Sequence, residues 1–318
     1  MTRVQYIDRL KGLAIILVVM GHIFGFSQPE DGINTFIYTF HMPLFMFLSG
    51  LVISAPPHLK KVFTKWRRFL VPFFVVGFAC TFYRHSTLNE FFQSGSKGGY
   101  WYLWVLAVFY LLLSLFKYCS GRREIIKEFL LAAIIYIVFK MLIRVFNIPG
   151  DHDVFSVGRC LEMWPYFMLG FFTRKYNLLD YIRRYPAIAS VAAITFIITF
   201  FGVIEYCGFN LGRFYKLASA TMLVFLLYVF SSRENMKTKL ENQLALIGRY
   251  SLEVYIFHYF FLVNTNISFI QSWAMTTHNG LIELLLLVVI SVIIAYLSMF
   301  IGWLFHQEKW LSRIVYGG

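Results

Sequence analysis

Charge is what this chain has least of. Only 14% of its 318 residues are Asp, Glu, Lys or Arg, against about 25% in a soluble domain. With 59% hydrophobic residues and a mean hydropathy of +0.65, that deficit excludes an ordinary soluble protein. Acidic residues are scarcer still, 16 against 29 basic, for a net charge of +13. In a soluble chain such a balance would suggest nucleic acid, but here the cations cluster between apolar stretches, and membrane topology accounts for them. No nucleic-acid partner is expected. Cysteine is sparse too: Cys80, Cys119, Cys160 and Cys207 stand singly with no CxxC, which argues against a metal site and a disulfide framework. Cys160 and Cys207 could share one side of the membrane and pair. There is no linker, low-complexity stretch or repeat, and no small-residue cleavage site follows His22, so the basic-then-apolar start reads as a first span.

What is present is a series of apolar runs, near residues 10–27, 34–55, 69–85, 100–118, 125–146, 157–173, 186–206, 213–231, 250–270 and 280–305. At about 20 residues per span, these fill the chain and leave no room for a sizeable soluble domain. The expectation is an all-α fold, a polytopic bundle of about ten transmembrane helices forming a single membrane-embedded domain over 1–318. When even-numbered spans run inward, all basic residues but seven fall on one side; the exceptions are Arg84, Lys97, Lys140, Arg144, Arg159, Arg213 and Lys216. The positive-inside rule then places both termini in the cytoplasm of a multi-pass cell-membrane protein.

Ionisable groups inside such spans cost about 2.5–3.5 kcal/mol each and mark function by default. Those that stand out are His22, His41, Lys140, Arg159 with Glu162, and His258. A lone membrane histidine also serves to hydrogen-bond a neighbouring helix. In the first span, eleven positions separate Lys11 from His22, which puts the two about 20° apart on one helical face and about 16 Å apart along the axis. Asp8 shares that face, and the stripe Asp8, Lys11, Ile15, Val18, His22 is expected to look into the bundle. Arg9 points the other way, as a snorkelling anchor. His41, about seven residues below the outer end of the second span, reaches the depth of His22, and the two could meet. Pro43 should free a backbone carbonyl, which a water-filled cavity could satisfy. Lys140 and Arg144, one turn apart in the fifth span, suit an anionic or sugar ligand, although Arg144 could simply snorkel outward. Arg159 and Glu162, at i and i+3, could do no more than neutralise each other.

These residues resemble a known family. KGLAIILVVMGH in the first span is similar to the signature of acyltransferase family 3, integral membrane enzymes that O-acylate glycans and lipids. The likeness continues in FHMPLFMFLSG, KWRRFLVPFF, YWYLWVLAVFY and LIGRYSLEVYIFH and covers essentially the whole chain. The FHMPLF form and Lys11, where the wider family has arginine, are most similar to its fucose 4-O-acetylase-like branch. Lysine keeps the charge and loses the planar bidentate fork. No esterase-like domain is expected after the last span.

The resemblance implies an acyl-CoA donor, acetyl-CoA by default, on the cytoplasmic side. It also implies an acceptor sugar hydroxyl of a polysaccharide or lipid-linked glycan on the far side. His22 suits the general base, with a pKa near 6.5, or a covalent acyl relay. His41 could orient His22, hold the acceptor or stabilise the oxyanion. Lys11, Arg67 and Arg68 are candidates for coenzyme A phosphates, with Lys60, Lys61 and Lys65 beside them; Lys11 could instead pair with Asp8. Trp101, Lys140, Arg144, Arg159, Glu162 and His258 are candidates for the acceptor, while Trp101 and Tyr102 equally suit an interfacial aromatic belt. No metal is expected. A glycan-precursor transporter or flippase is the first rival, disfavoured because no matching pair of Gly/Pro-broken helices occurs in two halves. A non-catalytic membrane module is the second. Succinyl or a longer acyl group stays open, as do the acceptor and the oligomeric state.

Overall fold

The apolar runs fold as helices in the computed structural model, which describes residues 5–24, 32–119, 123–149, 152–205, 211–233, 238–262 and 280–317. No strand occurs among the described residues. The chain divides into two compact units, residues 1–49 with 172–302 and residues 50–171 with 303–318.

The first unit holds α1 (Gln5–Phe24), α2 (Gly32–Leu51) up to Ser49, α8 (Leu178–Arg184), α9 (Pro186–Glu205) and α10 (Leu211–Ser232). It also holds α11 (Lys239–Arg249), α12 (Ser251–Leu262) and α13 (Gly280–Gln307) up to Gly302. The second contains α3 (Leu59–Tyr83), α4 (Leu88–Gln93), α5 (Trp101–Ser114), α6 (Glu124–Val145), α7 (Val157–Lys175) up to Phe171, and α14 (Lys309–Tyr316). The short helices α4, α8, α11 and α14 lie outside or at the margins of the expected spans. Two of them announce themselves by a capping box: Thr87 with Glu90, and Thr238 with Glu241, where hydroxyl and carboxylate each satisfy a backbone N–H at the helix start.

By length and apolarity, two described stretches qualify as membrane spans, Trp101–Tyr118 and Leu284–Gln307, and a third if Leu178–Arg184 and Pro186–Phe200, bent by 91°, count as one. Thr35–Leu51, Lys216–Ser232 and Ser251–Leu262 are apolar but shorter. The other long helices carry their charges inside the helix: Asp8, Arg9 and Lys11 open α1, and Lys60, Lys61, Lys65, Arg67 and Arg68 occupy the first half of α3.

Helix α1 packs against α10, α11 and α12. Side chains all round it are buried, including Leu10, Ala14, Ile15, Val18, Val19 and Ile23. This corrects the expectation for Arg9, which does not snorkel: it is 1% exposed, its Nη1 donates to Arg233 O at 2.7 Å and lies 3.6 Å from Glu241 Oε1. A helix enclosed on several sides leaves a cation no route to the surface, so partners come to it. The stripe containing Asp8, Ile15 and Val18 is buried as expected.

Glycines set how closely α11 approaches. A Cβ on Gly12 would overlap Leu244 O, and one on Gly248 would overlap Asp8 O. Beside this contact, Asp8 Oδ2 lies 3.9 Å from Arg249 Nε. In α2, Pro43 lacks the N–H that would bond Thr39 O one turn back. That carbonyl accepts from Ser219 Oγ of α10, both residues being buried. A side chain, rather than the expected water, meets it.

The second unit is built on aromatics. The Trp164 ring centroid lies 5.1 Å from that of Phe109 and its Nε1 donates to Ala132 O at 3.0 Å. Trp66 Nε1 donates to Ala107 O at 2.8 Å, tying α3 to α5. Cys160 is a buried free thiol, and Cys207 lies outside the described residues.

Candidate functional site

In the first unit, α1 and α12 bring His22 and His258 together. Their rings stack with centroids 5.3 Å apart and 24° between planes. Tyr259, next along α12, places its hydroxyl 2.8 Å from His22 Nε2, and its ring centroid is 4.1 Å from that of His258. His258 Nδ1 lies 3.0 Å from Val254 O. A carbonyl only accepts, so Nδ1 of His258 carries the hydrogen. His258 and Tyr259 are buried while His22 is partly exposed, so of the three rings His22 is the most accessible.

His41 keeps different company. Its Nδ1 donates to Ile37 O at 2.7 Å, and its ring stands edge-on to Tyr38 with centroids 4.9 Å apart. The Tyr38 hydroxyl donates to Gly21 O at 3.2 Å, one residue before His22. The expected meeting of His22 with His41 is replaced by His22 with His258 and Tyr259, and His41 connects to that end of α1 through Tyr38. Tyr259 had no signal of its own in the sequence beyond following His258. Lys11 is partly exposed at the start of the same helix.

A second cluster lies in the other unit, where the loop before α5 meets the start of α7. A pocket of about 440 Å³ opens there, walled by Ile143, Ile148 and Pro149, with Ser94, Arg159 and Glu162 among its polar groups. Arg159 Nη1 lies 3.1 Å from Glu162 Oε2, and its guanidinium stands 5.3 Å over the Trp101 ring. Trp101 itself is buried, so it supports Arg159 from below. Lys140 and Arg144 are exposed on α6 and do not line the pocket.

Beneath the pocket lies a structural lock that the sequence reading passed over. Lys97 is buried, and its Nζ donates to Phe92 O at 2.9 Å, Ser94 O at 2.7 Å and Asp153 O at 3.0 Å. Burial pulls its ammonium down to about 8, while the Asp153 carboxylate works against that shift. Asp153 caps α7, accepting from Val157 N at 2.8 Å and Gly158 N at 2.7 Å. Ser156 Oγ donates to Gly95 O at 2.9 Å. Lys97 and Ser156 both have positive φ, 49° and 52°, a left-handed conformation that costs about 1–2 kcal/mol per L-residue and that these hydrogen bonds hold in place.

Arg67 and Arg68 are exposed on α3, in the second unit. Among the described residues, no three His, Cys, Asp or Glu side chains gather as a metal site would require.

Residues 4–301 match a family model described as an acyltransferase domain. The chain is also similar to the nodulation protein NolL of Sinorhizobium fredii (strain NBRC 101917 / NGR234), at 28% identity over 187 residues, 52% of this chain and 47% of that protein. The chain thus matches about half the length of that relative. No solved structure matches. With nearly its whole length covered by the acyltransferase model, the chain belongs to acyltransferase family 3.

Proposed function

We propose that the protein is an integral membrane O-acyltransferase of about ten spans with both termini in the cytoplasm. In this reading it moves an acyl group, acetyl by default, from cytoplasmic acyl-CoA to a sugar hydroxyl of a surface glycan or glycolipid on the far side, as the fucose-acetylase-like branch would. The observation that carries the reading is the partly exposed His22 imidazole, held 2.8 Å from the Tyr259 hydroxyl and stacked on His258, in a chain of this family.

A sugar hydroxyl attacks a thioester poorly unless its proton leaves as the C–O bond forms. His22 takes that proton. When the tetrahedral intermediate collapses and the C–S bond breaks, the imidazolium returns the proton to the coenzyme A sulfur, so the step balances without a further reagent. Tyr259 fixes the ring against rotation, the part a third group plays wherever a base must be aimed. Lys11 in the first unit, and separately Arg67 and Arg68 in the second, are the candidates for the phosphates of the donor. The pocket beside Arg159 and Glu162, within the second unit, has the chemistry of a sugar subsite, with Ile148 and Pro149 as an apolar face and Glu162, Arg159 and Ser94 as partners for hydroxyls. Lys140 and Arg144 add positive charge near an acidic glycan.

The test is transfer from labelled acetyl-CoA in membranes carrying His22→Ala. The expected loss is about 10²–10⁴-fold, the usual contribution of a positioned base, with Lys11→Ala instead raising the KM for acetyl-CoA. Undiminished transfer by His22→Ala would overturn the general-base assignment. Glycan-precursor uptake independent of acyl-CoA would point to a transporter.

A further inference from the structure

Two segments far apart in sequence, on helices α3 and α14 that pack on each other, expose the same unusual pairing of apolar and basic side chains. The first turns of α3 expose Leu59 (59%) and Phe63 (60%), one turn apart, beside exposed Lys60 and Lys61. Helix α14 exposes Trp310 (60%) and Ile314 (49%), again one turn apart, beside exposed Lys309 and Arg313. The opposite side of α14 is buried through Val315 and Tyr316. Tyr316 stacks on His306 of α13 with centroids 4.4 Å apart and planes 10° apart. Gly317, at φ 66°, sits so close to Arg67 O that a Cβ would not fit, which fastens α14 to α3.

Cations are in excess here: on α14, Lys309 and Arg313 share their hollow with one carboxylate, Glu308. Lys60, Lys61, Lys309 and Arg313 form no ion pair with a described carboxylate. They also act on one another: the Lys65 ammonium is pulled down by its burial and then by the charges of Arg68 and Lys61. Crowded like charges without partners favour an anion from outside. Apolar pairs set among cations give the composition of a helix lying in a membrane interface.

We propose that α14 and the first turns of α3 form a docking surface for anionic phospholipid headgroups, with Trp310, Ile314, Leu59 and Phe63 in the acyl boundary and the cations on the phosphates. It rests on the membrane reading above, which puts both segments on the cytoplasmic side. Coenzyme A offers the same phosphate chemistry, but four exposed apolar side chains call for a ligand that brings acyl chains with it. Lysine and arginine near an anionic leaflet supply the attraction.

The experiment uses the full chain in vesicles equimolar in phosphatidylglycerol and phosphatidylcholine, extracted in mild detergent, with retained lipids counted by mass spectrometry. Wild type is expected to retain phosphatidylglycerol in several-fold excess, with saturating coenzyme A failing to displace it. K309Q/R313Q, changing two exposed side chains and so keeping the fold, should cut that excess at least threefold, and W310S/I314S should lower the total lipid retained. Equal retention of the two lipids, an undiminished excess in K309Q/R313Q, or displacement by coenzyme A would each overturn the proposal. Acetyl transfer in the same preparations separates the two readings: a wild type that retains phosphatidylglycerol yet transfers nothing supports this surface and overturns the function above.

Discussion

Gly248→Ala is the most exacting probe of how α1 is held. The added methyl would sit on Asp8 O and close to Gly12 N, both backbone atoms of a helix enclosed by neighbours. Neither atom can swing aside as a side-chain tip would, so α11 must move off α1 as a body. Overpacking of this kind costs about 1–3 kcal/mol, occasionally more, and the fixed backbone puts this site at or above the upper end. The shift also loosens Arg9 from Glu241 and Asp8 from Arg249. Gly12→Ala meets the same helix at Leu244 O, so once α11 has moved, the second methyl adds little, and the double variant should fall short of the sum by about 0.5–3 kcal/mol. Gly158→Ala is the control: its Cβ would lie 3.4 Å from Asp153 Oδ2, an ordinary contact, in a helical turn where alanine is favoured over glycine by up to about 1 kcal/mol. Thermal unfolding in detergent, followed by loss of helical circular dichroism, measures all four. A Gly248→Ala protein melting with the Gly158→Ala control would refute the close contact between α1 and α11.

Ser219→Ala should cost about 1–3 kcal/mol, the penalty for a buried carbonyl left unmet. That cost should shrink in a Pro43→Ala background, where the restored N–H can bond Thr39 O; equal cost in both backgrounds would break the link between Pro43 and Ser219. Lys97 sets a pH dependence. Its folded value near 8 lies below the ordinary 10.5, so between those limits the unfolded chain binds the proton that the folded one has released, and stability rises with pH. Wild type should therefore gain in melting temperature relative to Lys97→Met between pH 8 and 10, and a wild type that loses ground to the variant over that range would contradict the assignment.

Much of the all-α architecture was legible because apolar runs and their punctuation are local features. The first helix shows the limit. Its spacing gave the face shared by Asp8, Lys11 and His22, but angular arithmetic says nothing of how many neighbours a helix has, and Arg9 turned out enclosed for that reason. The site followed the same division. His22 and His258 stood out as ionisable groups in apolar surroundings, whereas Tyr259, in a chain with 20 tyrosines, carried no contrast with its background. Lys97 and Asp153 were hidden because their roles lie in backbone carbonyls and amides, which every residue possesses. The capping boxes at Thr87 and Thr238 were readable as T-x-x-E and would have revealed α4 and α11.

The pairing of His22 with Tyr259 joins positions 237 residues apart, and Thr39 waits 180 residues for Ser219. During synthesis, α1 and α2 therefore emerge long before α10 and α12 exist, while most of the second unit, residues 50–171, is made in one stretch between them. Domains generally form as units once their chain is complete, so the first unit closes late, and its carbonyl and imidazole must be tended by water or other helpers until then. A chain stopped anywhere before position 259 would carry His22 without its Tyr259 partner.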